Sequence, residues 1–338
     1  MSKETSNKIY YATFIMAILV MAIHSSFTGF LDPESVGYHF SFATQKVFLT
    51  LGDAAVPTFF VISGYLLFNN YILKDYPRML LKKLFSLVIP YFLWSVLGFL
   101  VTRIIIPAIR KEVIELTFQS VALDILLSNG CPQIWFIRPL VVFCICSPLL
   151  YFVFKYLKKW SIFIPITIFV IYIFFMPNYF GILFWIPLFF VGCYLSYFKI
   201  PIMNHFKPRL IAVISLILLL VIASLIAGFF VIETSKIYFI YRHLSVVLLW
   251  LSFDVLFSLY QKESVNEVFK ISAFLFFFHF PIAQLFGIIF RMGISITNYN
   301  CVLLFFLTWI VTSIISVSIG YMLKRFVNPL YLILAGRK

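Results

Sequence analysis

The chain has 338 residues, of which 63% are hydrophobic and only 11% are charged. A soluble domain carries roughly 25% charged residues, so this composition excludes a soluble protein and predicts an all-α, polytopic integral membrane helix bundle that forms a single domain over residues 1–338. The formal net charge of +14 does not indicate a nucleic-acid partner, because the basic residues lie in short clusters between apolar runs, as topology signals and lipid headgroup contacts do.

Apolar runs long enough to cross a bilayer recur along the whole chain. A helix of about 20 apolar residues spans the hydrocarbon core. The pattern predicts about ten such helices, at roughly 9–30, 47–72, 84–106, 133–154, 160–176, 180–198, 210–232, 237–260, 270–291 and 301–323. If the N-terminus lies inside, most Lys and Arg residues fall on the inner side, so both termini are expected to be cytoplasmic. We therefore expect a multi-pass protein of the inner or plasma membrane.

The first predicted span contains one histidine, His24, about two-thirds of the way along an otherwise apolar run. A residue that can carry charge inside a membrane helix is costly, and a histidine can both take and give a proton near neutral pH. His24 is therefore either a functional group or a packing histidine whose ring nitrogens bond to a neighbouring helix. The residue alone does not decide between these two interpretations.

Asp53, in the second span, is predicted to reach the same depth as His24. His24 lies about six residues before the outer end of its span and Asp53 about six residues after the outer start of the next, and both antiparallel helices rise about 1.5 Å per residue. A carboxylate beside an imidazole would raise its basicity and fix its tautomer. Neither side chain reaches headgroups well, so a functional pair is the favoured interpretation.

Three arginines and a second histidine are expected at a similar level. Arg103 lies near the outer end of the third span, Arg138 just inside that of the fourth, and Arg242 and His243 just inside that of the eighth. For Arg103 and Arg242 the favoured interpretation is interfacial, because arginines near helix ends often extend to headgroups.

The second span also carries Pro57 and the pair Ser63-Gly64, within the segment VPTFFVISGYLL. A proline frees backbone groups in a membrane helix, and small residues allow close helix approach. By physics alone this predicts a kinked packing helix, and no reaction can be inferred from it.

Arg78, Lys82 and Lys83 form a basic cluster before the third span. Arg78 and Lys82 are four residues apart and would share a helix face. The cluster is either a topology signal or a clamp for a phosphate-bearing cytosolic ligand. The residues alone favour the topology signal.

The order of these segments resembles the acyltransferase-3 family of integral membrane O-acyltransferases, which modify cell-surface polysaccharides and related glycans. The resemblance covers nearly the whole chain. It is carried by His24, VPTFFVISGYLL (56–67), the basic residues before LFSLVIPYFLW (84–94), WFIR (135–138) with SPLL (147–150), FWIPLFFVGCYLS (184–196) and FLFFFHFPI (274–282).

The resemblance implies a transfer of an acyl group, acetyl or succinyl, from cytosolic acyl-CoA to a hydroxyl of a cell-surface or lipid-linked glycan. Acyl-CoA would be a co-substrate, with no cofactor and no metal. His24 matches the family's proposed catalytic histidine, and Arg78, Lys82 and Lys83 match the basic segment that meets the donor.

From these matches we expect His24 to act as the general base with support from Asp53. Arg138, or a backbone group freed near Pro57 or Ser63, is expected to stabilise the oxyanion. Trp135 is a further candidate for oxyanion or substrate contact.

One residue departs from the family pattern. The family has an arginine eleven residues before the histidine, where this chain has Thr13. The two positions share a helix face, so the change puts donor binding or activity in doubt, and Arg138 could substitute for the missing charge. His279, within the closing motif, is expected to be structural, with contact to substrate as the alternative.

Two other functions fit the residues. A non-enzymatic carrier of a lipid-linked sugar or an anionic solute would explain the buried arginines and Thr13 equally well, but it would not explain the order of the motifs. A catalytically inactive family member with an interaction role is the third possibility.

Overall fold

The computed structural model of the protein describes residues 1–34, 36–111, 113, 116–175, 181–202, 209–229, 236–259 and 264–336. Within these ranges every regular element is a helix and none is a strand. The all-α class and the polytopic bundle predicted from composition are confirmed. The predicted span ends at residues 176, 180, 232 and 260 lie outside the described residues.

The α-helices of the described ranges follow one another along the whole chain. They are α1 (Lys3–His24), α2 (Tyr38–Asp53), α3 (Ala55–Phe68), α4 (Tyr76–Lys83), α5 (Ile89–Phe99), α6 (Ile106–Arg110), α7 (Phe118–Leu127), α8 (Ile137–Ile145), α9 (Ser147–Leu157), α10 (Phe163–Phe175), α11 (Ile182–Tyr197), α12 (Arg209–Phe229), α13 (Lys236–Leu259), α14 (Ser272–Gly293), α15 (Cys301–Phe326) and α16 (Asn328–Ala335). Two π-helical stretches, Leu84–Val88 and Leu100–Ile105, join α4 to α5 and α5 to α6. A 3₁₀ turn, Pro132–Phe136, leads into α8.

Seven helical stretches of the described residues are long and apolar enough to cross a membrane. They are Lys3–Phe30, Tyr38–Phe68, Leu73–Ala108, Ser147–Phe175, Lys236–Asp254, Glu267–Gly293 and Cys301–Phe326. Helices Phe118–Leu127 and Pro132–Ile145 meet at a bend of 68° and would together form an eighth span. Two shorter apolar helices, Ile182–Tyr197 and Leu210–Ile226, occupy the remaining predicted positions. The fourth predicted span differs most, because its residues from Ser147 onward belong to the next helix.

The N-terminal half of α1 is fixed to α13 by a buried ion pair. Lys8 Nζ lies 2.5 Å from the Asp254 carboxylate and 4.3 Å from the centre of the Trp250 ring. The Lys8 side chain is fully buried, and a buried ammonium is tolerated only with such partners. The pair sets α1 against α13, with His24 at the other end of α1.

The second apolar run is interrupted directly after Asp53. Pro57 has no N–H, so the carbonyl of Asp53, four residues earlier, loses its helical donor. Helix α2 ends at Asp53. Two tyrosines of α13 bond at this point: Tyr241 donates its hydroxyl to the Thr50 carbonyl over 2.7 Å, and Tyr238 donates to the Asp53 carboxylate. The interruption therefore places an acidic side chain at a helix end inside the bundle.

Helices α3 and α11 cross with their backbones in close contact. A Cβ added at Gly64 would lie 2.2 Å from the carbonyl oxygen of Phe189, and one added at Gly192 would lie 2.0 Å from that of Val61. Small residues at such crossings allow membrane helices to approach closely. The Ser63-Gly64 pair was expected to have this role, and Gly64 makes the contact.

Alanine at Gly64 or Gly192 should lower the free energy of unfolding by about 1–3 kcal/mol, because the new methyl group would overlap a backbone carbonyl and force the helices apart. Thermal unfolding of the purified protein in detergent measures this loss. Gly29→Ala and Gly293→Ala are matched controls, since no heavy atom lies within 4 Å of a Cβ at either position. Equal unfolding midpoints for all four variants would contradict the close crossing.

Candidate active site

A cavity of about 380 Å³, here called the histidine cavity, lies beside the C-terminal end of α1. Its walls are formed by the ends of α1 and α2, by the turn before α8, and by helices α11, α13 and α14. The wall residues that carry polar groups include His24, Asp53, Gln133, Trp135, Arg138 and Arg242. Arg138 is an exposed residue, so the cavity opens at the protein surface beside it.

The structure brings together four site residues chosen from the sequence, which are His24, Asp53, Trp135 and Arg138. They come from α1, α2, the turn that leads into α8 and the first turn of α8 itself, and His24 meets Asp53 because α1 and α2 run antiparallel. Ser63, the fifth candidate for this group, lies elsewhere: it lines a second cavity, described below.

Arg242 is held inside the cavity by Asp53. Its Nη2 lies 3.2 Å from Asp53 Oδ1, and its guanidinium stacks 4.8 Å from the centre of the Tyr238 ring. The Arg242 side chain is only 9% exposed. The expectation that Arg242 extends to lipid headgroups is therefore wrong, because an acid within the bundle pairs with it.

The other two ionisable residues predicted at this depth lie outside the cavity. Arg103 donates from Nε to the Asp124 carboxylate over 2.8 Å, and its side chain is 56% exposed, as expected of an interfacial arginine. His243 lines a different, largely apolar cavity of about 480 Å³ between α3, α10, α11 and α13. Among the described residues, no group of three or more His, Cys, Asp or Glu side chains is arranged to hold a metal ion.

His24 is the last residue of α1 and is half-buried. Its ring centre lies 5.2 Å from that of His279 and 5.2 Å from that of Phe280, both on α14. No hydrogen bond to the His24 side chain is formed within the described part of the chain, and none joins it to Asp53. The imidazole nitrogens are therefore open to a ligand in the cavity.

Three residues of this region were not recognised from the sequence as site residues. Tyr238 bonds to Asp53. Gln133 donates from its side-chain amide to the Phe277 carbonyl over 3.2 Å, and its buried Oε1 has no partner among the described residues. Their sequence signal is weak, because neither residue belongs to one of the segments that carry the family resemblance. The third, His279, was expected to be structural, with substrate contact as the alternative.

A second cavity, of about 320 Å³, is here called the middle cavity and lies beside the N-terminal half of α1. Ser63 and Ser86 line it together with Thr13, at the position where the sequence departs from the family pattern. The Thr13 hydroxyl donates to the Ile9 carbonyl over 2.8 Å, so it is satisfied within its own helix. The middle cavity is therefore lined by hydroxyl groups and apolar side chains at these positions.

A third cavity, of about 420 Å³, is here called the basic cavity because Lys82 and Lys83 line it. It shares the wall residues Leu66 and Ser86 with the middle cavity. Arg78, one turn earlier on α4, is exposed and is not among the residues that line it. The structure thus places two of the three predicted donor-binding residues at the start of a path into the bundle.

Phe136 and Phe276 separate the middle cavity from the histidine cavity. Both residues line both cavities, and their rings meet edge to face with centres 4.2 Å apart. The three cavities therefore form one row, from Lys82 and Lys83 to His24, that is interrupted by this aromatic pair.

A family model described as an acyltransferase domain matches residues 11–325, nearly the whole chain. The match spans all three cavities, from Thr13 through the basic residues to the helix that carries His279. No curated protein and no solved structure matches the chain.

Proposed function

The chain belongs to the acyltransferase-3 family, and on this premise we propose that it moves an acyl group, acetyl or succinyl, from acyl-CoA to a hydroxyl of a cell-surface or lipid-linked glycan. Membership of the family makes the protein a membrane acyltransferase with an acyl donor and an acceptor. The identity of both substrates and the use of His24 as the base are our proposals. Acyl-CoA serves as a co-substrate, and we assign no cofactor or metal.

The row of three cavities is the observation that supports this proposal. Acyl-CoA carries phosphates and cannot cross a bilayer, so a donor from the cytosol and an acceptor on the other side need a path through the protein. Such a path begins at Lys82 and Lys83, passes the middle cavity and ends at His24.

We assign the donor to the basic and middle cavities. The phosphates of coenzyme A would bind Arg78, Lys82 and Lys83, since ammonium and guanidinium groups form strong hydrogen bonds to phosphate. The pantetheine arm would extend along the middle cavity, past Ser63 and Thr13. Because Thr13 offers no charge there, the phosphates stay at the basic end and only the uncharged arm enters.

The thioester reaches His24 when Phe136 and Phe276 separate. An edge-to-face aromatic pair is worth about 0.5–1.5 kcal/mol beyond its buried area, so the ring–ring contact itself adds little to the cost of opening it. While closed, the pair keeps water in the histidine cavity away from the thioester, which limits wasteful hydrolysis.

His24 acts as the general base in the transfer. It takes the proton of the acceptor hydroxyl, the oxygen attacks the thioester carbonyl, and a C–O bond forms. The C–S bond then breaks, and the thiolate of coenzyme A receives the proton from His24. Arg138 stabilises the oxyanion, Trp135 supports the sugar ring, and Asp53 adds negative charge opposite the imidazolium that forms.

The acceptor approaches from the opening beside Arg138. This opening lies at the end of the row away from the basic residues, so cytoplasmic termini place it on the outer side. An exported or lipid-linked glycan is accessible there, in the inner or plasma membrane of the cell.

A carrier for a lipid-linked sugar or an anionic solute is the competing function, and the buried Arg242 would suit it. Mass spectrometry of surface glycan from a deletion strain separates the two. We expect the glycan to be exported at normal amounts but to lack one acetyl or succinyl mass per modified unit, and re-expression of the protein should restore that mass. Loss of the glycan itself would establish the carrier.

The third possible function is that of a catalytically inactive family member with an interaction role, and a binding measurement tests it. The purified protein in lipid nanodiscs should bind acetyl-CoA or succinyl-CoA in a calorimetric titration. Failure to bind both thioesters would favour the inactive member over the enzyme.

A further inference from the structure

His279 is a buried titratable group that the mechanism above does not use. It lies on α14, is 0% exposed, and its ring centre is 5.2 Å from that of His24, with the ring planes at 44°. Phe280, the next residue of α14, meets the His24 ring edge to face at 87°. The imidazole of His24 is thus held between two consecutive rings of one helix.

The protonation of His279 follows from its hydrogen bond. Its Nδ1 lies 2.9 Å from the carbonyl oxygen of Leu275, and a carbonyl only accepts, so Nδ1 carries the hydrogen. In the neutral ring Nε2 is then a hydrogen-bond acceptor. This Nε2 is buried and has no hydrogen-bond partner among the described residues. Buried polar groups are nearly always paired, so an unpaired one next to a site requires an explanation.

His24 is the polar group suited to donate a hydrogen bond to His279 Nε2. The two rings form no hydrogen bond in the structure, but with ring centres 5.2 Å apart a rotation of the His24 ring can bring facing nitrogens within hydrogen-bond distance. His279 Nε2 needs a donor, and the other ring in contact with His279 among the described residues, that of Phe276, carries none.

We propose that His279 is the positioning residue of the catalytic histidine, with its Nε2 accepting a hydrogen bond from one ring nitrogen of His24. This assignment rests on the proposed function, in which His24 is the base. The bond selects the tautomer of His24 whose other nitrogen is unprotonated and faces the cavity. A base must present that lone pair to the acceptor hydroxyl, so the orientation is set before substrate binds.

The proton transfers of this mechanism balance without any further group. The acceptor hydroxyl gives its proton to the free nitrogen of His24, which becomes an imidazolium. The nitrogen that faces His279 keeps its own hydrogen, and His279 Nε2 continues to accept it, now from a charged donor, which strengthens the bond. When the C–S bond breaks, the departing thiolate takes the transferred proton and His24 returns to its starting tautomer.

Two variants of His279 separate positioning from packing. Asparagine places an amide near the former Nδ1 and keeps a bond to the Leu275 carbonyl, but it has no acceptor at the position of Nε2. Glutamine reaches the position of Nε2 and can offer its carbonyl oxygen there. Each variant is reconstituted as the full chain in proteoliposomes with isolated surface glycan, and transfer from acetyl-CoA and succinyl-CoA is followed over a range of donor concentrations.

We expect His279→Asn to lower kcat by about 10–100-fold with the KM for the thioester unchanged, and His279→Gln to retain most of the wild-type kcat. Equal kcat losses in both variants, or a wild-type kcat in His279→Asn, would overturn the positioning role. Thermal unfolding midpoints identify any variant that is merely unstable. If His279→Asn is unstable, the kcat of His279→Gln alone decides. If His24→Ala is active in the same assay, the proposed function fails; if it is inactive while His279→Asn is unaffected, only this inference fails.

Discussion

His24→Ala should lower the rate of acyl transfer by about 10²–10⁴-fold, the usual contribution of general-base catalysis. The half-buried ring lines the histidine cavity and its side chain forms no hydrogen bond within the described part of the chain, so a ring nitrogen is available to an acceptor hydroxyl. Without the ring, the hydroxyl must attack while still protonated. The measurement is transfer of labelled acetyl or succinyl groups to isolated glycan by the reconstituted protein, together with the acyl content of surface glycan in cells.

Another histidine, His243 on α13, provides a matched control for this experiment. His243 also lies in a membrane helix, where its Nδ1 bonds to the backbone carbonyl of Phe239 on the same helix over 3.0 Å. It lines the apolar cavity and not the histidine cavity. His24→Gln should therefore lose activity while His243→Gln keeps it. Normal transfer by His24→Ala, with the protein present in the membrane at wild-type amounts, would remove His24 from the mechanism.

The meeting of His24 with Asp53 in one cavity could be predicted from the sequence because it depends on little more than helix geometry. Successive membrane helices run antiparallel, and each residue adds a fixed rise, so two polar residues at matching distances from one membrane face must lie at one depth. The interruption of the helix at Asp53 follows in the same way from the missing N–H of Pro57. Local rules and the bilayer thickness decide both features.

The partners of these residues could not be predicted, because they depend on which helices pack together and how each is rotated. Arg242 was expected at the headgroups, yet α13 turns it toward Asp53. His279 was expected to be structural, yet α14 packs on α1 so that its ring meets His24. Ser63 was grouped with the oxyanion site, yet the rotation of α3 turns it into the middle cavity. The depth of a residue in the membrane is set by its position in the sequence, whereas the rotation of its helix about the helix axis is set by tertiary packing.

Removing both charges of the basic cavity, in the double variant Lys82→Gln with Lys83→Gln, should raise the KM for acyl-CoA by about 10–100-fold. A hydrogen bond to a charged group is worth about 1.5–3 kcal/mol and 1.4 kcal/mol corresponds to a factor of ten in affinity, so the loss of one such bond to phosphate already accounts for a rise of this size. The kcat should be unchanged, because the aromatic pair Phe136 and Phe276 and the whole middle cavity lie between these lysines and His24. Neutral glutamine adds no negative charge, which limits any effect on topology.

Lys74→Gln is the control for this double variant, because Lys74 is an exposed lysine just before α4 that is not among the residues lining the basic cavity. Its KM should match that of the wild type. Arg78→Gln should fall between the two, since Arg78 shares α4 with the lysines but does not line the cavity and can meet only the part of the donor outside it. The wild-type KM should also rise with salt, and less steeply in the double variant, because screening weakens contacts that the variant has already lost. An unchanged KM in the double variant would contradict donor binding in the row of cavities, because the lysines at the entrance of that row would then contribute nothing to binding.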